Sequence, residues 1–243
     1  MTIMIFELEV TGHHPDYLRH LLNYMPDEER QVVFVVAPSF LVKYPNIVNA
    51  KKSSNIKWTT ITPQEHQQYE HSKKSILRRT YIEWQLFTSY AKKTNADHGL
   101  VMYLDRFRLP LAFQFPTPCL VSGIFFRPSF YHLYPKTSFK LKLKQVLDKW
   151  ILKSAFQHSK LKTFFSLDPM AVPSLKQLSK KTTIIPLPDP VEISPSIIGK
   201  TKKLRQSLGI DEGRKVLLLL GMLNRRKGIY EIIEALQRLP ATA

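Results

Sequence analysis

The chain has 243 residues, 44% of them hydrophobic, with 36 Lys and Arg against 19 Asp and Glu for a formal charge of +17. That is enough apolar material for one full domain and part of another, which excludes a largely disordered chain, and the charge points to an anionic partner. The longest apolar runs, VVFVVA from Val32 and VLLLLGML from Val216, are too short to cross a bilayer as helices.

The N-terminal MTIMIFELEV has no basic leader and places Glu7 and Glu9 where a signal peptide would be apolar, so a cytoplasmic protein is expected. Short apolar runs then alternate with stretches of helical period, the pattern of an α/β fold with a parallel sheet. Strands are predicted near Ile3 to Val10, Val32 to Ala37, Ile56 to Ile61, Gly99 to Leu104, Pro118 to Phe125, Lys162 to Ser166 and Thr182 to Pro186. Helices are predicted near Asp16 to Tyr24, Glu65 to Lys93, Ser138 to His158 and Pro169 to Leu178. Cys119, the single cysteine, sits in an apolar run and is expected to be a buried thiol.

Within the helix Ser138 to His158, Phe139, Leu143, Val146, Leu147 and Trp150 share one arc, flanked by Lys140 and Lys144 on one side and Lys142, Lys149 and Lys153 on the other. The ordinary expectation puts that arc on the core. An interfacial helix with snorkelling lysines on an anionic membrane surface has the same pattern, and the preceding FFRPSFYHLYP adds aromatics beside Arg127. Zinc spacing, an RNP-like run and a helix-turn-helix pattern are missing, so nucleic acid is not an expected partner.

Pro186, Pro188, Pro190 and Pro195 then make a linker, because they remove backbone donors and forbid a long helix or central strand. Domains of about residues 1–190 and 191–243 follow. Beyond the linker a helix from Lys200 to Leu208, a turn, a strand from Lys215 to Leu220 and a helix from Gly228 to Leu239 are predicted. One strand and one helix cannot cover a parallel sheet, so the second domain is expected to be truncated.

The strongest motif is GMLNRRKGIYEIIEAL. Gly221 at a strand end, the cations Arg225, Arg226 and Lys227, and Gly228 at a helix start put backbone donors, a helix dipole and positive charge around one point. The same spacing also suits a solvated basic loop.

From the IIPLPDPVE linker through RQSLGIDEGRKVLLLLGMLNRRKGIYEIIEAL, the chain resembles the interdomain junction of family 4 glycosyltransferases of the GT-B fold. The resemblance implies a Rossmann-like parallel sheet with helices on both faces, then an incomplete second Rossmann-like domain. It further implies a retaining enzyme that moves a sugar from a nucleotide diphosphate sugar to a glycan or lipid-linked acceptor, in cell-envelope or polysaccharide chemistry, with no required metal or other cofactor. By the same resemblance Lys227 holds the donor diphosphate. The family's loop arginine follows the strand-end glycine directly, where this chain has Met222, leaving Arg225 or Arg226 for that role.

Thr11-Gly12-His13-His14-Pro15-Asp16 follows the first strand. In the family the corresponding loop borders acceptor and donor phosphates, which makes Gly12, His13 and His14 cleft candidates; Asp16 or His14 is also placed to cap the next helix. Asp105 after GLVMYL is the candidate base or acceptor contact, Gly123 and Arg127 flank the same edge, and Asp168 before Pro169 is expected to be an N-cap. The alternative to an enzyme is an inactive fragment, or an acceptor- or membrane-binding module lacking its donor site.

Overall fold

The computed structural model describes residues 1–25, 30–51, 53–126, 139–190, 201–211, 213–219 and 228–238. The chain divides into two compact units, Met1–Pro190 and Val191–Ala243.

The first unit is a seven-stranded sheet of β1 (Thr2–Glu7), β2 (Gln31–Val36), β3 (Ile56–Thr60), β4 (His98–Val101), β5 (Leu120–Phe125), β6 (Leu161–Ser166) and β7 (Thr183–Pro186). All pairings are parallel and the spatial order is β3-β2-β1-β4-β5-β6-β7. The seven strands predicted for this unit all form, and the fold is α/β and Rossmann-like. Pro186, which has no N–H to give a ladder, ends the edge strand β7.

Alternate strand residues feed two cores. Met4, Phe6, Val33, Val35, Val121, Phe125 and Phe164 face α4 (Pro63–Ser72), α5 (Ile76–Lys93), α6 (Arg108–Ala112), α7 (Phe139–Ala155) and α8 (Val172–Leu178). Ile5, Val32, Phe34 and Val36 face α1 (His14–Tyr24), α2 (Pro38–Lys43) and α3 (Pro45–Val48). Helices thus lie on both faces, and strands buried on both sides explain the near-continuous apolar runs. On the α1 face, Leu100, Met102, Ile124, Phe165 and Leu187 line an apolar hollow of about 280 Å³ next to Tyr17. The Tyr17 hydroxyl donates to Asp189, fastening the start of the Pro-rich segment to α1.

Several boundaries depart from the sequence reading. Glu65 to Lys93 is two helices because each start has its own cap. At α4 the Thr62 hydroxyl accepts from Glu65 N at 3.2 Å while Glu65 accepts from Thr62 N at 2.8 Å, and at α5 Ser75 accepts from Arg78 N. Strand β4 stops at Val101 where Leu104 was expected, and the chain turns into a 3₁₀ helix, Leu104–Phe107, leading into α6. Asp168 caps as expected, accepting from Met170 N at 2.9 Å. Cys119 is buried, which raises its thiol pKa.

In the second unit, α9 (Thr201–Ser207) and α10 (Ile229–Gln237) form, but residues 214–219 make no strand. Val216, Leu217 and Leu218 are exposed there, and no strand partner for them occurs among the described residues. A strand needs a neighbour to take its hydrogen bonds, and apolar composition alone does not supply one. No residue of α10 is buried.

Gly123 lies inside β5, where an added Cβ would come within 2.7 Å of the Val101 carbonyl oxygen and 3.0 Å of Leu104. Gly123→Ala should therefore destabilise the unit by about 1–3 kcal/mol through overpacking, measured by urea unfolding; an unchanged midpoint would refute the close approach.

Candidate functional site

Between β1 and β4 the strand order reverses, and the helices that follow these strands leave on opposite faces. That opens a crevice at the strands' carboxyl ends, where open α/β sheets bind ligands. The segment from Leu8 to His14 and the segment from Met102 to Arg106 both arrive there.

Gly12 has φ +68 and an added Cβ would meet nothing within 4 Å, so glycine is favoured by the left-handed backbone and not by lack of room. The turn delivers His13 as the N-cap residue and His14 as the first residue of α1. Neither Asp16 nor His14 caps the helix: no side-chain cap bond is made, Asp16 pairs with Arg19 at 3.1 Å, and His14 turns inward. Its Nδ1 lies 2.7 Å from Glu7 Oε2, with both side chains buried, and Glu7 Oε1 accepts from Glu9 N at 2.7 Å. The carboxylate fixes Nδ1 as the donor, so in the neutral ring Nε2 is the acceptor.

Rings assemble around this pair. His13 stacks on His14 at 4.8 Å and on Phe126 at 5.1 Å, while Tyr103 lies 5.6 Å from His14 and 5.0 Å from Phe126. Asp105 Oδ2 accepts from Phe126 N at 2.8 Å, which ties the turn after β4 to the end of β5 and sets this wall. An aromatic wall beside a held imidazole suits the apolar face and hydroxyls of a sugar ring.

Beneath the loop lies an ionic network that sequence reasoning missed. Arg79 donates to Glu9 at 2.7 Å, to Glu83 at 3.0 Å and to the Tyr69 hydroxyl at 2.7 Å. Arg106 donates to Glu83 at 2.6 Å and stacks over Tyr103 at 4.5 Å, and Lys73 reaches Glu9 at 3.1 Å. Burial alone would raise the Glu9 carboxyl, but Arg79 and Lys73 outweigh it and hold it at about 2. Burial pushes the Glu83 carboxyl up from its ordinary value, countered by Arg106 and Arg79. Burial likewise raises the Tyr69 phenol. These groups come from β1's loop, two helices and the 3₁₀ turn, so no local spacing in the sequence joins them.

The structure thus brings Gly12, His13, His14 and Asp105 to one crevice and places Gly123 inside the adjacent strand β5. Gly228, with φ +70, is the N-cap of α10. Arg127, Gly221, Arg225, Arg226 and Lys227 lie outside the described residues.

No protein-family model matches the chain, and no curated protein matches it in sequence. Among solved structures, a sucrose-phosphate synthase from Thermosynechococcus elongatus is similar with a TM-score of 0.58 at 14% identity, over 98% of this chain and 60% of that one. A Phytolacca americana UGT2 complexed with UDP-2fluoro-glucose and pterostilbene follows at TM-score 0.45 and 9% identity, over 81% of this chain and 56% of that one. The chain therefore spans about 60% of the length of the synthase. At this identity the likeness is one of fold.

Two outcomes follow from the network. Glu83→Ala leaves the half-buried Arg79 and Arg106 guanidinium groups sharing only Glu9 and should cost about 1–3 kcal/mol by chemical denaturation; a loss no larger than at a surface site would refute its role. Because Glu9 is lowered from 4.5 to about 2 in the folded state, its contribution is complete above pH 4.5 and is lost as pH falls toward 2. Glu9→Gln should flatten that part of the acid-unfolding profile, and an unchanged profile would show that Glu9 does not drive it.

Proposed function

We propose that the chain is the acceptor-side domain and the start of the donor side of a glycosyltransferase of the retaining type. It moves a sugar from a nucleotide diphosphate sugar to a glycan or lipid-linked acceptor in cell-envelope or polysaccharide synthesis. The observation that carries this reading is the β1/β4 crevice, with the buried Glu7–His14 pair and the ring wall of His13, Tyr103 and Phe126 at its mouth. The fold shared with a sucrose-phosphate synthase and the RRKG sequence ahead of α10 support it.

In this mechanism His14, held by Glu7, receives an acceptor or sugar hydroxyl at Nε2, and His13 lies against the ring. Asp105 keeps the wall in place through Phe126 and so acts as a positioning residue. The bond from the anomeric carbon to the diphosphate oxygen breaks, the acceptor oxygen takes its place with retention, and the acceptor's hydroxyl proton passes to the departing diphosphate. Lys227, Arg225 or Arg226, and the amides at the start of α10 meet the charge on the departing diphosphate, with Gly221 and Gly228 letting the backbone approach, so that no metal is required.

The reading as a binding module without turnover draws on a separate observation: the described part of the second unit leaves Leu217, Leu218, Tyr230 and Leu236 exposed. Product formation with UDP- and GDP-sugars and a panel of acceptors separates the two. Turnover that Lys227→Ala reduces by about a hundredfold or more supports phosphate stabilisation; an unchanged rate refutes it, and absence of nucleotide-sugar binding favours the module. His14→Ala should lower kcat/KM by at least about tenfold with the fold intact by circular dichroism, which corresponds to one lost charge-oriented hydrogen bond.

A further inference from the structure

The apolar arc of α7 is not on the core. Phe139 is 81% exposed, Leu143 61%, Val146 65%, Leu147 53% and Trp150 55%. The opposite side of the helix is what packs inward: Asp148, Leu152 and Ala155 are buried, and Arg108 lies 3.5 Å from Asp148. Five large apolar side chains on one outward arc are more than isolated surface residues and mark a docking surface.

We propose that this face of α7 is an interfacial docking helix for an anionic lipid surface. Lys140 and Lys144 lie on one flank of the arc and Lys142, Lys149 and Lys153 on the other, all five exposed. Asp148, the helix's only acid, is turned inward against Arg108. The outward half is thus apolar along its middle and purely cationic along both edges. Its lysine stems reach from the level of the apolar arc to the level of lipid phosphates. A second copy of the chain is the poorer occupant, because it would bring the same five lysines against these. No helix among the described residues is long and apolar enough to cross a membrane, so attachment is along the surface. Docking through α7 does not depend on sugar transfer, and each can fail without the other.

The test is cosedimentation with vesicles of phosphatidylcholine alone and of phosphatidylcholine containing phosphatidylglycerol. The expected result is binding to the anionic vesicles, weakened by salt, with a blue shift of tryptophan emission that Trp150→Phe abolishes. Leu143→Glu combined with Leu147→Glu should reduce the bound fraction by about tenfold or more. Both positions are exposed, so the variant's unfolding midpoint should match that of the parent. Equal binding by this variant, equal binding to both vesicle types, or no binding to either overturns the proposal. So does salt-resistant self-association that the double change abolishes without any vesicle binding.

Discussion

A strand that runs parallel to its predecessor is reached only by a crossover, and right-handed crossovers commit each connecting helix to a face of the sheet. From β1 the sheet grows first toward β3 with its helices on one side, then returns to β4 and grows toward β7 with its helices on the other. The crevice between β1 and β4 is the geometric result of that reversal. The apolar hollow beside Tyr17 has the same origin, since the later helices all lie across the sheet from Leu100, Met102 and Ile124. Site and hollow both follow from topology before any side chain is considered.

What the side chains add is rigidity. The loop after β1 would be a mobile connection if it carried only Gly12, yet it is held at two points: Glu7 grips His14 from inside, and Glu9 is gripped by Arg79 and Lys73. Two half-buried guanidinium groups and Glu83 complete the second hold, each charge shared between at least two partners, and the network stands as a unit. Arg79 and Arg106 are engaged by carboxylates here. The crevice mouth of the first unit is lined by an imidazole held by Glu7 and by aromatic rings.

The helix α7 shows how the same pattern can serve two environments. Its apolar arc and flanking lysines are equally compatible with a core-facing and an outward orientation, because periodicity reports an amphipathic helix and not which side of it meets the sheet. The face that meets the rest of the unit carries Asp148, which lies toward Arg108, together with buried Leu152 and Ala155. These anchor the face that a hydrophobicity pattern would have sent to solvent.

The sequence by itself determined the seven strands of the first unit, their approximate limits and the parallel α/β class, because strands buried on both faces must be apolar without alternation and must be separated by helical stretches. Gly12, His13, His14 and Asp105 were legible as strand-end residues for the same reason. Asp168 as a cap was legible because capping is local, whereas the split between α4 and α5 lay in caps at Thr62 and Ser75 inside one long periodic stretch. Only the tertiary structure decided that His14 belongs to Glu7, that Glu9, Arg79, Glu83 and Arg106 form one network, that residues 214–219 lack a strand partner among the described residues, and that α7 turns its apolar arc outward. Each of these depends on groups brought together from distant parts of the chain, or on the neighbour a segment meets, and neither has a signature in local spacing.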